Sequence, residues 1–157
     1  MHDRNEACPR MLRYRPPRIA MLLLLLAAAL QLLIPAACAS ATASLAGGIL
    51  ISALCFGFML RAWWLFRRYQ TAICPTAEMT SLLTHDVYRL TRNPMYLGIV
   101  LMLLGLAIAA GWVLLYAAAL AFFLIIDYVF CPYEETRLAR KFGNTFNRYR
   151  KRVRRWL

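Results

Sequence analysis

Acidic residues are scarce in this 157-residue chain, with seven Asp and Glu against nineteen Lys and Arg and a formal net charge of +12. Histidine is scarcer still, at two, and the five cysteines, Cys8, Cys38, Cys55, Cys74 and Cys131, show no CxxC pairing. That poverty of ligand clusters argues against a zinc-type centre, and no metal is expected. Cysteines scattered inside or beside apolar runs also argue against a disulfide framework. Internal repeats and low-complexity linkers are missing as well, so residues 1–157 are expected to form one domain.

What the chain has in excess is apolar side chains, 62% of the total. A soluble globule of this size needs fewer for its core, so much of the surface is expected to meet lipid. Nearly all the positive charge is Arg placed beside the apolar runs, a distribution that orients membrane proteins and attracts anionic lipids. Nucleic acid is not an expected partner, because a basic patch for it usually needs a soluble scaffold to display it.

The runs are expected to give an all-α, polytopic membrane fold with about four spans, a C-terminal helical hairpin and a cytoplasmic amphipathic helix. A basic head, with Arg4, Arg10, Arg13, Arg15 and Arg18 around Pro16-Pro17, precedes a first span from Ile19 to about Ala39, long enough to cross a bilayer. Ala37-Cys38-Ala39 resembles a signal-peptidase site, but the run exceeds a typical signal segment and further spans follow, so a retained span is expected. A second span runs from about Leu45 to Phe66 and ends in Arg61, Trp63, Trp64, Arg67 and Arg68, residues suited to the headgroup layer.

A polar cytoplasmic loop over 70–94 follows, with Glu78, His85, Asp86, Arg89 and Arg92; His85 reads as a solvated loop residue. The apolar stretch from Met95 to Phe130 would measure on the order of 54 Å as one helix, which overshoots a bilayer. It is therefore expected to fold at Ala109-Ala110-Gly111-Trp112 into spans 95–109 and 112–131. Gly98 and Gly105, on one helix face, are expected to let the two arms approach closely. Pro132 is expected to bend the chain into a helix over 133–157, whose Phe142, Phe146, Tyr149, Val153 and Trp156 lie on an anionic membrane surface. Both termini then fall in the cytoplasm, while the oligomeric state is not legible.

The hairpin carries Arg92 to Tyr96 toward Asp127 to Glu135, and such convergence of distant polar groups is what a site needs. Pro94 fixes the backbone where a helix starts, and that helix N-terminus with Arg92 favours an anionic group. Glu134-Glu135 follows a span directly in a chain poor in acids, and Asp127 is the one acid within an apolar run, where acids are costly. Plain structural readings stand beside these: a snorkelling Arg at a span end, acids paired with Arg137, Arg140 or Lys141, and an Asp127 salt bridge to Arg89 or Arg92.

TRNPMYLG at Thr91–Gly98, followed one hairpin later by EETRLARKFGNTFNRYRKRV at Glu134–Val153, resembles the isoprenylcysteine carboxyl methyltransferase and phospholipid methyltransferase superfamily. The family pattern is roughly LVTxGxYxxxRHPxYxG, then EExxLxxxFGxxYxxY. Leu82-Leu83-Thr84, Tyr88, Arg92, Pro94, Tyr96, Gly98, Glu134-Glu135, Leu138, Phe142-Gly143 and Tyr149 match it. Asn93 stands where many members have His, Asp86 takes the place of the glycine before Tyr88, and Phe146 replaces the first Tyr of the second motif.

The resemblance implies a membrane enzyme using S-adenosylmethionine. It places Ser81, Leu82 and Leu83 on the adenosine side, with Tyr88, Asn93, Pro94, Met95 and Tyr96 around the amino-acid and sulfonium portion. Glu134 would anchor a polar group of the cofactor. Catalytic candidates are Arg92, to orient an anionic acceptor, and Asp127 or Glu135, to take a proton from an ammonium acceptor. The acceptor is expected to be lipophilic, a carboxylate, thiol or amine reaching the site from the bilayer of a prokaryotic inner membrane. Two rivals are a membrane reductase of the sterol reductase type using NADPH, and a non-catalytic protein whose basic helix binds anionic lipid or a partner.

Overall fold

The computed structural model describes residues 15–34, 44–69 and 82–157. Among them regular structure is helical throughout, in line with the expected all-α class. Helix α1, Pro16–Leu33, begins on the proline pair, whose missing N–H groups would have had no partner in a first turn. It starts before the apolar run, and the far end of the expected span lies in 35–43, outside the described residues. In α2, Leu45–Arg68, the Ser44 hydroxyl caps the start by accepting from Gly47 N at 3.2 Å. Arg67 and Arg68 complement the helix dipole at its end.

Helices α3, Pro94–Ala110, and α4, Val113–Ile125, form the hairpin. Gly111 turns it with a left-handed φ of 66°, donating its N–H to Ala107 O at 2.8 Å, a conformation that costs glycine little. Helices α1, α2 and the continuous helix that begins at Val113 are long and apolar enough to cross a membrane, while α3 is shorter. Leu22, Leu25, Leu32, Leu50 and Leu54 are each more than half exposed, a surface suited to hydrocarbon.

The hairpin is the centre of the bundle, with α1 packed on α4 and α2 on α3. Phe122, Ile126, Phe130 and Cys131 are fully buried against Ile19 and Ala20 of α1 and Ile99, Val100 and Leu103 of α3. Gly98 and Gly105 do not face α4 as expected. They face α2: a Cβ on Gly98 would stand 2.8 Å from Met59 Cβ, and one on Gly105 would stand 2.9 Å from Gly48 O. Helical spacing puts residues on a common face without naming its partner.

The expected bend at Pro132 is also absent. The chain stays helical from Val113 to Arg152, passing through a wide π turn at Ile126–Phe130 into α5, Cys131–Arg152. In that turn Cys131 N–H bonds Ile126 O, five residues back, and the wide turn accommodates a ring that would otherwise clash with the preceding turn. The break falls at Gly143, with φ 49° and ψ −123°, a backbone that only glycine adopts cheaply. Helix α5 stops at Arg152, and extended Val153 starts a tail, so the helix expected through 157 is too long.

The apolar stripe of α5 is buried as well. Phe146, Tyr149 and Val153 pack with Leu82, Leu138, Ala139 and Phe142 rather than presenting themselves to lipid. A stripe of this kind shows that something apolar covers it, and here that cover comes from the protein. The outer side is polar, with Asn144, Asn147, Arg148, Arg150 and Lys151 lining an open groove of about 750 Å3.

Between α2 and α3 the described chain is tied down by one short 3-10 turn, Asp86–Arg89. Leu83, Val87 and Tyr88 pack on Ala62 and Leu65 of α2. Asp86 has a left-handed φ of 57°, at the position where the resembled pattern carries glycine. Its carboxylate accepts Val87 N–H at 2.8 Å and the Arg61 guanidinium, which holds its carboxyl below the usual carboxylate range. Asp86→Ala keeps the strained backbone and loses both contacts, whereas Asp86→Gly loses the contacts but relieves the strain. Thermal unfolding in detergent is expected to show the alanine variant melting a few degrees below the glycine variant.

Candidate active site at the open end of the hairpin

Asn93 precedes Pro94 with φ −127° and ψ 58°, outside both the helical and the extended regions, so the chain turns sharply into α3 and leaves Tyr96 in the first helical turn. Glu134 lies in the first turn of α5. The hairpin returns these two turns to the same end of the bundle, where the Tyr96 hydroxyl donates to Glu134 Oε1. Asn93 Nδ2 donates to Cys131 Sγ at 3.3 Å, a second link between hairpin start and finish.

Burial pushes the Glu134 carboxyl up to about 7, against the Tyr96 hydrogen bond and Arg137, which favour the charged form, while neighbouring Glu135 adds to the rise. Tyr88 stands close by at 5% exposure, with its ring edge-on to Phe66. Its phenol is raised well above the usual range, chiefly by burial and further by Tyr149 and Glu134. The Tyr88 hydroxyl has no hydrogen-bond partner among the described residues, a costly condition for a buried donor. By contrast its carbonyl accepts the Tyr149 hydroxyl at 2.6 Å, and burial pushes that second phenol up to about 12.

Alongside lies an ion-pair cluster. Glu135, 8% exposed, meets Arg92 Nη1 at 3.0 Å and Arg155 Nε at 2.9 Å, with Arg150 farther off at 3.9 Å. Arg155 also reaches Asp127 Oδ1 at 3.0 Å, and Trp156 Nε1 donates to the same oxygen at 2.9 Å. Burial lowers the Arg92 guanidinium, as do Arg150 and Arg155, with Glu135 opposing. Fully buried Thr91 ties the tail in, its hydroxyl donating to Arg155 O at 2.7 Å, while Arg92 N donates to Arg154 O at 3.0 Å.

The expected site residues therefore divide into two groups. Tyr88, Asn93, Pro94, Met95, Tyr96 and Glu134 surround the Tyr96–Glu134 contact or the loop beside it, with Leu83 packed under Tyr88 and Leu82 against α5. Ser81 lies outside the described residues. Arg92, Asp127 and Glu135 are joined through Arg155, so the expected Asp127 bridge to Arg89 or Arg92 is corrected to Arg155. Of the acids expected to meet Arg137, Arg140 or Lys141, Glu134 does feel Arg137, while Glu135 meets Arg92, Arg150 and Arg155. Asp127 and Glu135 thus already have oxygens engaged by guanidinium groups. Sequence reading missed Arg155 altogether, because an Arg in a basic tail looks like every other.

An α-helical bundle with apolar outer faces and a polar, partly desolvated site at one end of its hairpin defines a membrane-type helical protein. The chain belongs to the phospholipid methyltransferase family, whose model matches residues 43–145, from the start of α2 through the first motif and into the second, ending just past Gly143. An uncharacterized protein of Haemophilus influenzae is 40% identical over 63 residues, which is all of that protein and 40% of this chain. No solved structure matches.

Proposed function

We propose that this chain is an S-adenosylmethionine-dependent methyltransferase acting on a lipophilic acceptor at the cytoplasmic membrane face. The observation that carries the reading is the partly buried Glu134 carboxyl, held by Tyr96 beside the Tyr88 hydroxyl, which has no hydrogen-bond partner among the described residues. A carboxylate poised there suits a ligand bearing a cationic or hydroxyl group, and the cofactor offers ammonium, sulfonium and ribose hydroxyls. The residues present thus fit the group. Glu134 and Tyr88 would hold its polar atoms, Asn93 and Tyr96 would flank them, and Leu82 and Leu83 would cover an apolar side.

When bound, the cofactor supplies an electrophilic methyl group to an acceptor. What the chain contributes is alignment and exclusion of water by Tyr88, Tyr96, Leu83 and Met95, since charge disperses in such a displacement. Asp127 and Glu135, occupied by Arg155, are left to position neighbouring segments. The acceptor is drawn from the bilayer because the adjoining helix face, with Leu124 and Tyr128 exposed, suits lipid. Arg61, Arg67, Arg68 and the α5 cations sit at the site's end of the bundle, which supports a cytoplasmic orientation.

The test is incubation of the purified protein with methyl-labelled S-adenosylmethionine and a total extract of membrane lipid and protein. Label in a lipophilic fraction is the expected result, and none in any fraction overturns the reading. Titration with S-adenosylhomocysteine and with NADPH addresses the reductase rival: binding of NADPH alone would favour it.

The Glu134 titration gives a second expectation. The carboxylate is the form that holds a cation, so affinity for S-adenosylhomocysteine is expected to climb as pH rises toward about 7 and to level off above it. For the ligand-free fold the sign is opposite. A carboxyl raised from its ordinary 4.5 favours folding while protonated, and that contribution is lost as pH rises through about 7. Calorimetric titrations between about pH 5.5 and 8.5 would reveal the climb, and a flat profile would remove Glu134 from the ligand's contacts.

A further inference from the structure

The tail after α5 makes more polar contacts with the site's surroundings than its composition suggests. Arg155 spans two carboxylates from different elements, Asp127 on the π turn at 3.0 Å and Glu135 on α5 at 2.9 and 3.2 Å. Trp156 adds its indole N–H to Asp127 and sets its ring 4.8 Å from that of Phe123 on α4. Two backbone carbonyls of the tail, at Arg154 and Arg155, receive Arg92 N–H and the Thr91 hydroxyl. The tail therefore holds three segments at once: 91–92 leading into α3, the π turn, and the first turn of α5.

We propose that Arg155, assisted by Trp156, is a positioning residue that fixes the distance between Asn93–Tyr96 and Glu134 and so sets the geometry of the candidate active site. Thr91 and Arg92 directly precede Asn93, and Glu135 directly follows Glu134. Among the described residues, side-chain bridges between these turns are Tyr96–Glu134 and Asn93–Cys131. The flanking residues are joined by the Arg92–Glu135 pair and by the tail, whose Arg155 also reaches Asp127. A planar guanidinium suits this task, because its donors leave in fixed, divergent directions and can serve two carboxylates together. The π turn is what brings Asp127 within reach.

The methyltransferase reading supplies only the consequence for ligand binding; the positioning itself is measurable without ligand. The readout is the midpoint of the Glu134 carboxyl band in pH-titrated infrared spectra, assigned by its disappearance in Glu134→Gln. Removing a positive charge could only raise a neighbouring carboxyl, so a fall in the midpoint reports movement of Glu134 into water. Arg155→Gln is expected to lower the midpoint by about one pH unit or more, toward the ordinary carboxylate value. Arg155→Lys keeps the charge but lacks the two-way fork, and is expected to fall nearly as far. Trp156→Phe keeps the ring and loses the N–H, with a smaller fall in the same direction.

A midpoint that stays or rises in folded Arg155→Lys and Trp156→Phe protein, whatever happens to melting temperature, overturns the proposal. Those two variants decide the matter even where Arg155→Gln fails to fold. In parallel, S-adenosylhomocysteine affinity is expected to drop about tenfold in Arg155→Lys, the effect of one good charge-assisted hydrogen bond. If wild-type protein binds no S-adenosylhomocysteine, the methyltransferase reading fails while the infrared midpoint still decides the role of Arg155.

Discussion

Glu134→Ala should cost the protein most of its affinity for S-adenosylhomocysteine while leaving its helices intact. Losing a hydrogen bond to a charged group is worth about 1.5–3 kcal/mol, so the dissociation constant is expected to rise about 10- to 150-fold. Tyr96→Phe removes only the neutral hydroxyl that holds the carboxylate in place, and about a fivefold loss is expected. Glu134→Gln should flatten the pH dependence, because the titrating group is gone. The same substitution is expected to raise the melting temperature near pH 8, since the fold then no longer holds a partly desolvated carboxylate in its charged form. Stability and affinity moving in opposite directions would mark Glu134 as a binding group whose placement strains the ligand-free fold. A parallel fall in both would mark it as structural and sink the site assignment.

The second large effect lies far from the chemistry. A Cβ built on Gly48 of α2 collides with the backbone of α3, standing 2.6 Å from Ala109 Cα and 2.5 Å from Gly105 O. Backbone inside a helix cannot rotate aside as a side chain can, so α2 must lift from α3. Gly48→Leu is expected to destabilise by several kcal/mol, beyond the roughly 1–3 typical of an overpacked core, and to leave little folded protein. Gly57→Leu is the matched control, because a Cβ there meets nothing within 4 Å, and it should fold like wild type. Even the milder Gly48→Ala should weaken ligand binding. The end of α2 carries Ala62, Leu65 and Phe66, the wall behind Tyr88, so a lifted helix moves that phenol. Folded yield and melting curves in detergent test both substitutions, and a stable Gly48→Leu protein would show that the close approach of α2 and α3 is dispensable.

These two expectations draw on different layers of the sequence. Glu134 stood out as one of two adjacent carboxylates directly after a span in a chain so poor in acids. That pattern alone equally fits pairing on a solvated helix, and the cofactor role came from the family resemblance. The hairpin was legible from length alone, since a continuous helix over Met95–Phe130 would overshoot a bilayer, and Gly111 supplies the turn. The partner of Gly98 and Gly105 was not, because periodicity assigns a face and tertiary packing chooses what it touches. Pro132 misled for a related reason. Its local penalty is real, yet a wide turn upstream accommodates the ring and moves the actual break to Gly143.

Asp86 shows a substitution that departs from the resembled pattern while keeping its backbone geometry. The left-handed φ explains why glycine suits the position, and the carboxylate offsets the strain by binding Arg61 and Val87. The tail was the least legible part. Arg154, Arg155 and Trp156 carry no periodicity, and choosing Arg155 among so many arginines as the partner of Asp127 and Glu135 requires knowing that the backbone turns back after Arg152.

That return has a consequence for how the protein is held together. Asp127 is separated from Arg155 by 28 residues of chain, and Glu135 by 20. The cation that joins these two carboxylates therefore reaches them only because the chain folds back after α5. The π turn, the start of α5 and residues 91–92 are thus fastened by contacts that are distant in sequence, so loosening the tail alone frees all three together.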